Sequence, residues 1–360
     1  MEDTKDNFKE AYSKYTFRKI LIILVCIVLA VVFFFYSLTV GTLQLTMADV
    51  YDIFIKHLNG ATYDKYSQWE LWYEDHIIWE YRVPRALLGL ICGIALAIAG
   101  TTMQSVMKNP LADPYTTGVS SGALFGVAIA IVLGFSTGLG SESMGLVANA
   151  IIFAMIPVVV IIVMAPFFRK SPSTLILSGI AVSYLFNSLT SLLLIITDAE
   201  SLKEVYSWQI GSLVDRTWDS VPMTAAVTLA GSIVLLLLSN KMNLMSLDDK
   251  DAKSLGLNSN VMRVICLFVL AFMAAVVVAN LGIIGFVGLV IPHIARMILG
   301  SDNKFLIPAS AAIGAVFLLG CDIVARLLPV VASVPVGVIT SFIGSPIFII
   351  LIIRQKGGVW

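Results

Sequence analysis

Long apolar runs with almost no charged residues are the feature that most restricts how this chain can fold. An α-helix needs about 20 apolar residues to cross a hydrocarbon core of about 30 Å. The composition agrees: 58% of the residues are apolar and 13% are charged, against about 45–50% and about 25% in soluble domains. We therefore predict an all-α, polytopic membrane protein. Its ten predicted spans lie near residues 20–40, 86–107, 118–134, 146–168, 174–196, 221–239, 262–281, 283–299, 306–328 and 335–353.

Two of these spans are separated from their neighbours only by short breaks. The apolar stretch Val261–Leu299 would measure about 58 Å as a single helix at 1.5 Å per residue, so the chain must reverse within it. We place this reversal at Gly282–Gly285. The segment Asn109–Pro114 contains two prolines and separates the second span from the third, because a proline inside a helix removes a backbone hydrogen bond.

Lysine and arginine predict the orientation, because they accumulate on the cytoplasmic side of membrane proteins. With the N-terminus inside, sixteen of the 23 basic residues fall in inner segments and seven in outer ones. We predict a multi-pass protein of the cell (plasma or inner) membrane with both termini cytoplasmic. The predicted regions are a cytoplasmic segment 1–19, one transmembrane domain 20–353 and a cytoplasmic tail 354–360, with an extracytoplasmic loop 41–81 and a cytoplasmic loop 241–261.

Composition and motifs argue against several classes of function. A net charge of zero gives no support for a nucleic-acid partner. The four cysteines lie in apolar runs and the three histidines are scattered, so we predict neither disulfides nor a metal site. The sequence contains no GxxxxGK[ST] phosphate loop and no nucleophile–base grouping. We therefore predict that the chain is not an enzyme, that it binds no cofactor itself, and that lipid surrounds it.

The polar segment Lys241–Asn260 separates two apolar runs and is the largest predicted inner loop. Ser246 and Asp249 have the spacing of a helix capping box, and Gly256 is a typical helix stop. The residues that would form the apolar side of this short helix are Leu247, Ala252 and Leu255. The segment is either a solvated connection or a docking helix for a cytoplasmic partner.

Ionisable residues inside the predicted spans are candidate functional groups, because charge is costly in the membrane. Asp322 and Arg326 are four residues apart on one helix and can form an ion pair. His293 is either a proton carrier or a hydrogen-bonded structural histidine. A proton-coupled secondary transporter, which is the alternative from a different class, would depend on Asp322 and His293.

Small residues recur every four positions at Gly89–Gly93–Ala97 and at Gly118–Gly122–Gly126. This spacing lets two helix backbones approach closely in a membrane. The two runs offer more close-packing surface than one bundle obviously needs, which favours a second copy of the chain as a partner.

Several motifs together resemble the membrane permeases of iron-chelate and vitamin B12 ABC importers, the FecCD-type family. The resemblance covers about residues 80 to 353, in the family's order and spacing, and Gly285–Arg296 is its most specific part. The matching residues are Arg82–Arg85, Gly100, Gln104, Asn109–Pro114, Gly118–Ala123, Trp208–Leu213, Leu255–Leu257, Gly285–Arg296, Asp322–Arg326 and Pro335–Val338. The acidic loop 41–81 and the lysine-rich N-terminus depart from the family's pattern.

The resemblance implies a type II ABC importer permease with ten helices per subunit. Its partners would be two cytoplasmic ATPase subunits, which bind the ATP and Mg²⁺, an extracytoplasmic substrate-binding (lipo)protein, and a second permease subunit. A homodimer is favoured over a heterodimer. The coupling residues transferred by the resemblance are Leu244, Ser246, Leu247, Asp249, Ala252, Leu255 and Gly256. The arginines that would receive acidic residues of the binding protein are Arg82, Arg85 and Arg326.

The same resemblance predicts alternating access around a central path, driven by movement of the coupling loop. The residues predicted to line the path or its gate are Gln104, Asn109, Pro110, Trp208, Gly211, Ser212, Pro292 and His293. The binding protein would supply the affinity for the cargo. The predicted cargo is a ferric siderophore or a related iron chelate, with haem and cobalamin as alternatives.

Overall fold

The computed structural model describes residues 2–43, 45–135, 142–164, 172–328 and 334–354, and the regular structure in these ranges is helical apart from one isolated bridge. The helices are α1 (Glu2–Thr39), α2 (Met47–Leu58), α3 (Trp69–His76), α4 (Val83–Met107), α5 (Val119–Leu133), α6 (Glu142–Met164), α7 (Pro172–Ile195), α8 (Ala199–Gln209), α9 (Val221–Leu237), α10 (Ser239–Leu244), α11 (Asp249–Ser254), α12 (Ser259–Leu281), α13 (Val287–Leu299), α14 (Asn303–Leu327) and α15 (Val336–Arg354).

Ten of these helices correspond to the ten predicted spans. Within the described ranges, eight helices are long and apolar enough to cross a membrane, and two shorter apolar helices are α5 and α13. The first span continues without a break into the predicted segment 1–19, because α1 begins at Glu2. Apart from Arg354, the predicted tail 354–360 lies outside the described residues.

The two short helices do not cross a membrane by themselves. At 1.5 Å per residue, α5 measures about 22 Å and α13 about 20 Å, which is less than a hydrocarbon core of about 30 Å. Each is preceded by a segment without α-helix, residues 108–118 before α5 and residues 282–286 before α13. Both predicted breaks are therefore confirmed.

Buried polar contacts satisfy the backbone of these two breaks, as membrane depth requires. Asp113 accepts a hydrogen bond from the backbone N–H of Tyr115, at 2.8 Å, and so caps a short 3₁₀ turn. The Tyr115 hydroxyl donates to the carbonyl of Ile284 at 3.1 Å, which joins one break to the other. Phe286 has a φ of 68° immediately before α13, so the backbone turns sharply there.

Close helix packing at small residues is confirmed, but the small residues pack within one chain. A Cβ added at Gly93 would collide with the backbone of Gly314, so α4 and α14 touch at these glycines. A Cβ at Gly126 would lie 2.6 Å from the carbonyl oxygen of Asn149 on α6. The inference that these runs are spare surface for a second chain was therefore wrong, because helices of the same bundle already cover them.

The two ends of the bundle carry different groups. The start of α4 and the end of α14 lie together, and the arginines there define what we call the arginine end. The end of α4 and the start of α14 meet the α9–α12 connection at the opposite end, which we call the loop end.

The predicted outer loop 41–81 is folded and lies at the arginine end. It contains α2, α3 and a π-helical segment, Ile77–Arg82. His57 stacks on Trp79 with ring centroids 4.1 Å apart, and its Nδ1 lies 2.8 Å from a carboxylate oxygen of Asp75. Within the described residues no group of three or more metal-binding side chains occurs.

Candidate functional site

The connection between α9 and α12 forms two short helices, α10 and α11, at the loop end. Met242 and Met245 are fully buried in the core, while Leu244 packs against it from a half-buried position. Leu247 and Leu255 are exposed, at 40% and 61% of their surface. The connection therefore holds apolar side chains outside the bundle that no other part of the described chain covers.

Three predictions about this loop need correction. Ser246 does not cap α11, because its hydroxyl donates to the carbonyl of Asn243, and the residue at the cap position is Asp248. Leu247 lies before the helix. Ala252 is buried in the core whereas Leu255 is exposed, so the three predicted apolar residues do not share a face. The spacing of Ser246 and Asp249 fits a capping box, but Asp249 binds a distant arginine instead.

Gly256 ends α11 as the sequence predicts. It has a φ of +81°, in the left-handed region that glycine adopts without strain, and its N–H donates to the carbonyl of Lys253. The chain then turns toward α12, which Asn258 caps by accepting a hydrogen bond from the N–H of Val261.

An ion cluster fixes α11 to the bundle. Arg263, whose side chain is 4% exposed, donates to both carboxylate oxygens of Asp249, at 2.9 and 3.3 Å. Lys108 places its Nζ 4.0 Å from the same carboxylate and donates to the carbonyl of Leu247 at 2.6 Å. Partial burial alone would raise the pKa of Asp249, but the hydrogen bond from Arg263 and the two positive charges outweigh it, so this pKa lies below its ordinary value.

Asparagine side chains join α10 to the start of α14 beside this cluster. Asn243 donates to Asp302 at 2.6 Å and accepts from the backbone N–H of Asn303 at 2.9 Å. Asn303 in turn accepts from the hydroxyl of Ser105 at 2.7 Å. A cavity of about 680 Å³ lies here, lined by Gln104, Ser105, Lys108, Met242, Asn243, Ser246, Arg296, Ser301, Asp302 and Asn303.

The predicted path residues fall into two separate groups. In the group nearer the loop end, the Gln104 side chain donates to the carbonyl of Leu289 and accepts from Arg296. The side chain of Asn109 accepts from the N–H of Leu111, and Pro110 follows it in the break. Pro292 and His293 are buried on α13, and Nδ1 of His293 has no hydrogen-bond partner in the described structure.

The second group surrounds the end of α12. Gly211 donates its N–H to the carbonyl of Ile283 and accepts from the N–H of Gly337, at 3.1 and 2.9 Å. Ser212 donates its N–H to the carbonyl of Leu281 at 2.8 Å. Trp208 and Ser212 line a second cavity, of about 370 Å³. Whether either group lines the transport path stays a prediction.

The three predicted docking arginines are engaged inside the chain. Arg82 is 6% exposed and donates to the carbonyls of Leu38 and Leu43. Arg85 and Arg326 both lie 2.8 Å from the fully buried carboxylate of Asp322, which confirms the predicted Asp322–Arg326 pair. Their role in receiving a binding protein stays a prediction, and it requires these contacts to open or the arginines to be reached from outside.

Sequence reasoning missed Lys108, Asn243, Arg263 and Asp302 as parts of the loop-end site. Lys108 and Leu247 are 139 residues apart, and Asn243 and Asp302 are 59 apart, so no local spacing connects them. The one available signal was that Lys108 and Arg263 are charges at the very ends of apolar runs.

Comparison with known proteins agrees with this fold. Residues 28–354 match the model of the FecCD transport family. The hemin transport system permease protein HmuU of Yersinia pestis is 34% identical over 330 residues, which are 92% of this chain and 94% of that protein. The molybdate import system permease protein MolB of Haemophilus influenzae is 33% identical over 351 residues, which are 97% of this chain and 98% of that protein.

A solved structure described as a metal-chelate type ABC transporter in an inward-facing conformation superimposes with a TM-score of 0.79 at 32% sequence identity. The match covers 93% of this chain and 99% of that one. The family match spans the described bundle from α1 to α15, including the loop-end site. The chain therefore belongs to the FecCD transport family and is a membrane permease subunit of an ABC importer.

Proposed function

We propose that this permease carries a ferric siderophore or a related iron chelate across the cell membrane, driven by two ATPase subunits that bind at the loop end. The observation that carries the proposal is α11, a short helix fixed to the bundle by Asp249 and Arg263 with Leu255 exposed beside it. The sequence has no phosphate loop, so ATP and Mg²⁺ would bind to the partner ATPase and no cofactor to this chain.

The proposed binding of the ATPases at the loop end also determines how the protein is oriented in the membrane. An ATPase works in the cytoplasm, so the loop end and both termini would be cytoplasmic, in agreement with the distribution of lysine and arginine. The arginine end, with the folded segment 41–81, would face outward and receive the substrate-binding protein. A second permease subunit would complete the path.

An iron chelate is favoured as cargo by the metal-chelate type transporter that this chain superimposes on. HmuU is named for hemin, and a relative of the same identity is named for vitamin B12 import. Haem and cobalamin are therefore the alternative cargoes of the same machine, and a transport assay must separate them.

Proton-coupled transport by this chain alone gains no support from the geometry. Asp322, its main candidate carrier, lies between Arg85 and Arg326, so two positive charges compensate its carboxylate. A carboxylate held between two arginines is suited to a structural ion pair.

The test is transport by the reconstituted complex. The permease, its ATPase and its binding protein are placed in proteoliposomes, and uptake of a ferric hydroxamate siderophore, haem and cyanocobalamin is measured with ATP and with a non-hydrolysable analogue. We expect ATP-dependent uptake of the siderophore that a protonophore does not abolish. Uptake that follows the proton gradient and ignores ATP would contradict the proposal, and uptake of haem or cobalamin alone would change the cargo.

A further inference from the structure

Helix α11 makes few contacts with the rest of the bundle, and most of its polar contacts are made by Asp249. The helix has six residues, too few to be stable alone, so its position depends on what it touches. Ala252 is buried in the core below it. The polar contacts run from Asp249 to Arg263 on α12 and to Lys108 at the end of α4.

These contacts resist displacement. The Arg263 side chain is 4% exposed, and its guanidinium forms two hydrogen bonds with Asp249 and one, of 3.2 Å, with Asn260. Arg263 is buried whereas the Asp249 side chain is 36% exposed, so separating them leaves a buried guanidinium without its counter-charge, which costs more than breaking a fully exposed pair. A push on α11 is therefore expected to move Arg263 and Lys108 with it.

Lys108 connects this cluster to the interior of the bundle. It has a left-handed backbone, with a φ of 50°, and begins the break 108–118, which separates α4 from α5 and contains no α-helix. Further along the same break, the hydroxyl of Tyr115 donates to the carbonyl of Ile284 in the segment before α13. The contacts of Asp249 with Lys108 and of Tyr115 with Ile284 therefore link α11, through this break, to both short helices, α5 and α13.

We propose that Lys108, Asp249 and Arg263 form an ion cluster that transmits movement of α11 to the break 108–118. This inference rests on the proposed function, because it requires an ATPase that moves α11. The inference separates the roles of two residues in this loop. Exposed Leu255 would contact the ATPase, whereas Asp249 would act as a positioning residue inside the permease.

The test uses a reporter in the break itself. Leu111 is 54% exposed, so Leu111→Cys can be labelled with a maleimide. Cys26, the half-buried native thiol, is removed by Cys26→Ala, and the other three cysteines are buried. The permease–ATPase complex is placed in nanodiscs, and the labelling rate is measured without nucleotide and after trapping with ATP and vanadate. No cargo is needed.

The variants separate transmission from docking. Asp249→Asn and Lys108→Met remove the attraction, Lys108→Arg keeps the positive charge, and Asp251→Asn is the matched control because Asp251 is exposed on the same helix. The reporter background is the permease with Leu111→Cys and Cys26→Ala. We expect trapping to change its labelling rate, and to do so also when Lys108→Arg or Asp251→Asn is added. In Asp249→Asn and Lys108→Met that change is lost, while the ATPase still co-purifies and hydrolyses ATP.

Three results would overturn the inference. If Asp249→Asn keeps the nucleotide-dependent change, the cluster does not transmit movement. If Asp249→Asn loses the ATPase, Asp249 acts in docking. If the reporter background binds the ATPase but trapping does not change its labelling rate, the break does not move, and the proposed function still stands. Failure of the unmodified permease to bind any ATPase would instead overturn the proposed function and this inference together.

Discussion

Asp322 lies between Arg85 and Arg326 at the arginine end, with its side chain fully buried. Arg85 belongs to the start of α4 and Arg326 to the end of α14, so this carboxylate ties together two central helices. Arg326 also donates to the carbonyls of Ser37 and Val40 at the C-terminal end of α1. Removing the carboxylate would leave two largely buried guanidinium groups, 14% and 8% exposed, without their counter-charge.

We predict that Asp322→Asn destabilises the protein by about 3–5 kcal/mol, the usual cost of leaving a buried charge unpaired. The measurement is thermal unfolding of the purified permease in detergent. Asp219→Asn is the control, because Asp219 is an exposed carboxylate near the same end. Equal unfolding temperatures for the two variants would show that the buried cluster contributes nothing to stability.

At the loop end, Leu255→Asp places a charge on a side chain that is exposed in the isolated permease and predicted to be covered by the ATPase. Burying that charge without a partner would cost several kcal/mol, so we expect the ATPase to be lost while the permease remains inserted. Leu58→Asp makes the same change at a leucine with 59% exposure, on α2 at the opposite end. Co-purification measures both, and an ATPase retained by Leu255→Asp would remove this residue from the interface.

Local spacing predicted some of these residue contacts and not others. Asp322 and Arg326 are four apart, so one helix turn brings them together, as predicted. The Arg85–Asp322 bond joins residues 237 apart, and only the packing of α4 on α14 creates it. The same limit explains Ser246: a capping pattern was present, but Arg263 outcompetes the helix N-terminus for Asp249.

At the scale of elements, hydrophobic run length predicted where the helices lie, and proline and glycine predicted where they break. It predicted α5 within one residue at each end, but it placed the start of α13 at 283 rather than at Val287, because apolar residues in a buried non-helical segment look the same as those in a helix. Hydrophobic run length also did not predict the helices of the outer loop, where α2 begins with a capping box between Thr46 and Asp49.

The contact between α4 and α13 provides a test at this scale. A Cβ at Gly100 would overlap the backbone of Gly288, so Gly100→Ala must push the short helix α13 away from α4. Overpacking of this kind costs about 1–3 kcal/mol, and we expect a lower unfolding temperature. Gly285→Ala is the control, because its Cβ would meet its nearest atom at 3.9 Å, in ordinary contact. If both variants unfold at the wild-type temperature, the two backbones are not in close contact.

At the scale of the whole molecule, the described part of one chain offers one loop-end site. If a pair of ATPases drives transport, as proposed, each needs its own contact with a permease, so we expect two permease chains. The glycine runs on α4 and α5 no longer support this argument, because α14 and α6 cover them within the chain. What remains is the one loop-end site in the described residues and membership of a family of ABC importer permeases.

We predict a homodimer, because closed two-fold symmetry is the commonest assembly of identical chains. The permease is expressed with its ATPase and no other permease, purified, and measured by native mass spectrometry. A complex of two permeases and two ATPases is the expected result, and Leu255→Asp in the same experiment should leave a permease dimer without ATPase. A complex that assembles only when a second, different permease is co-expressed would show that the two halves of the path come from different chains.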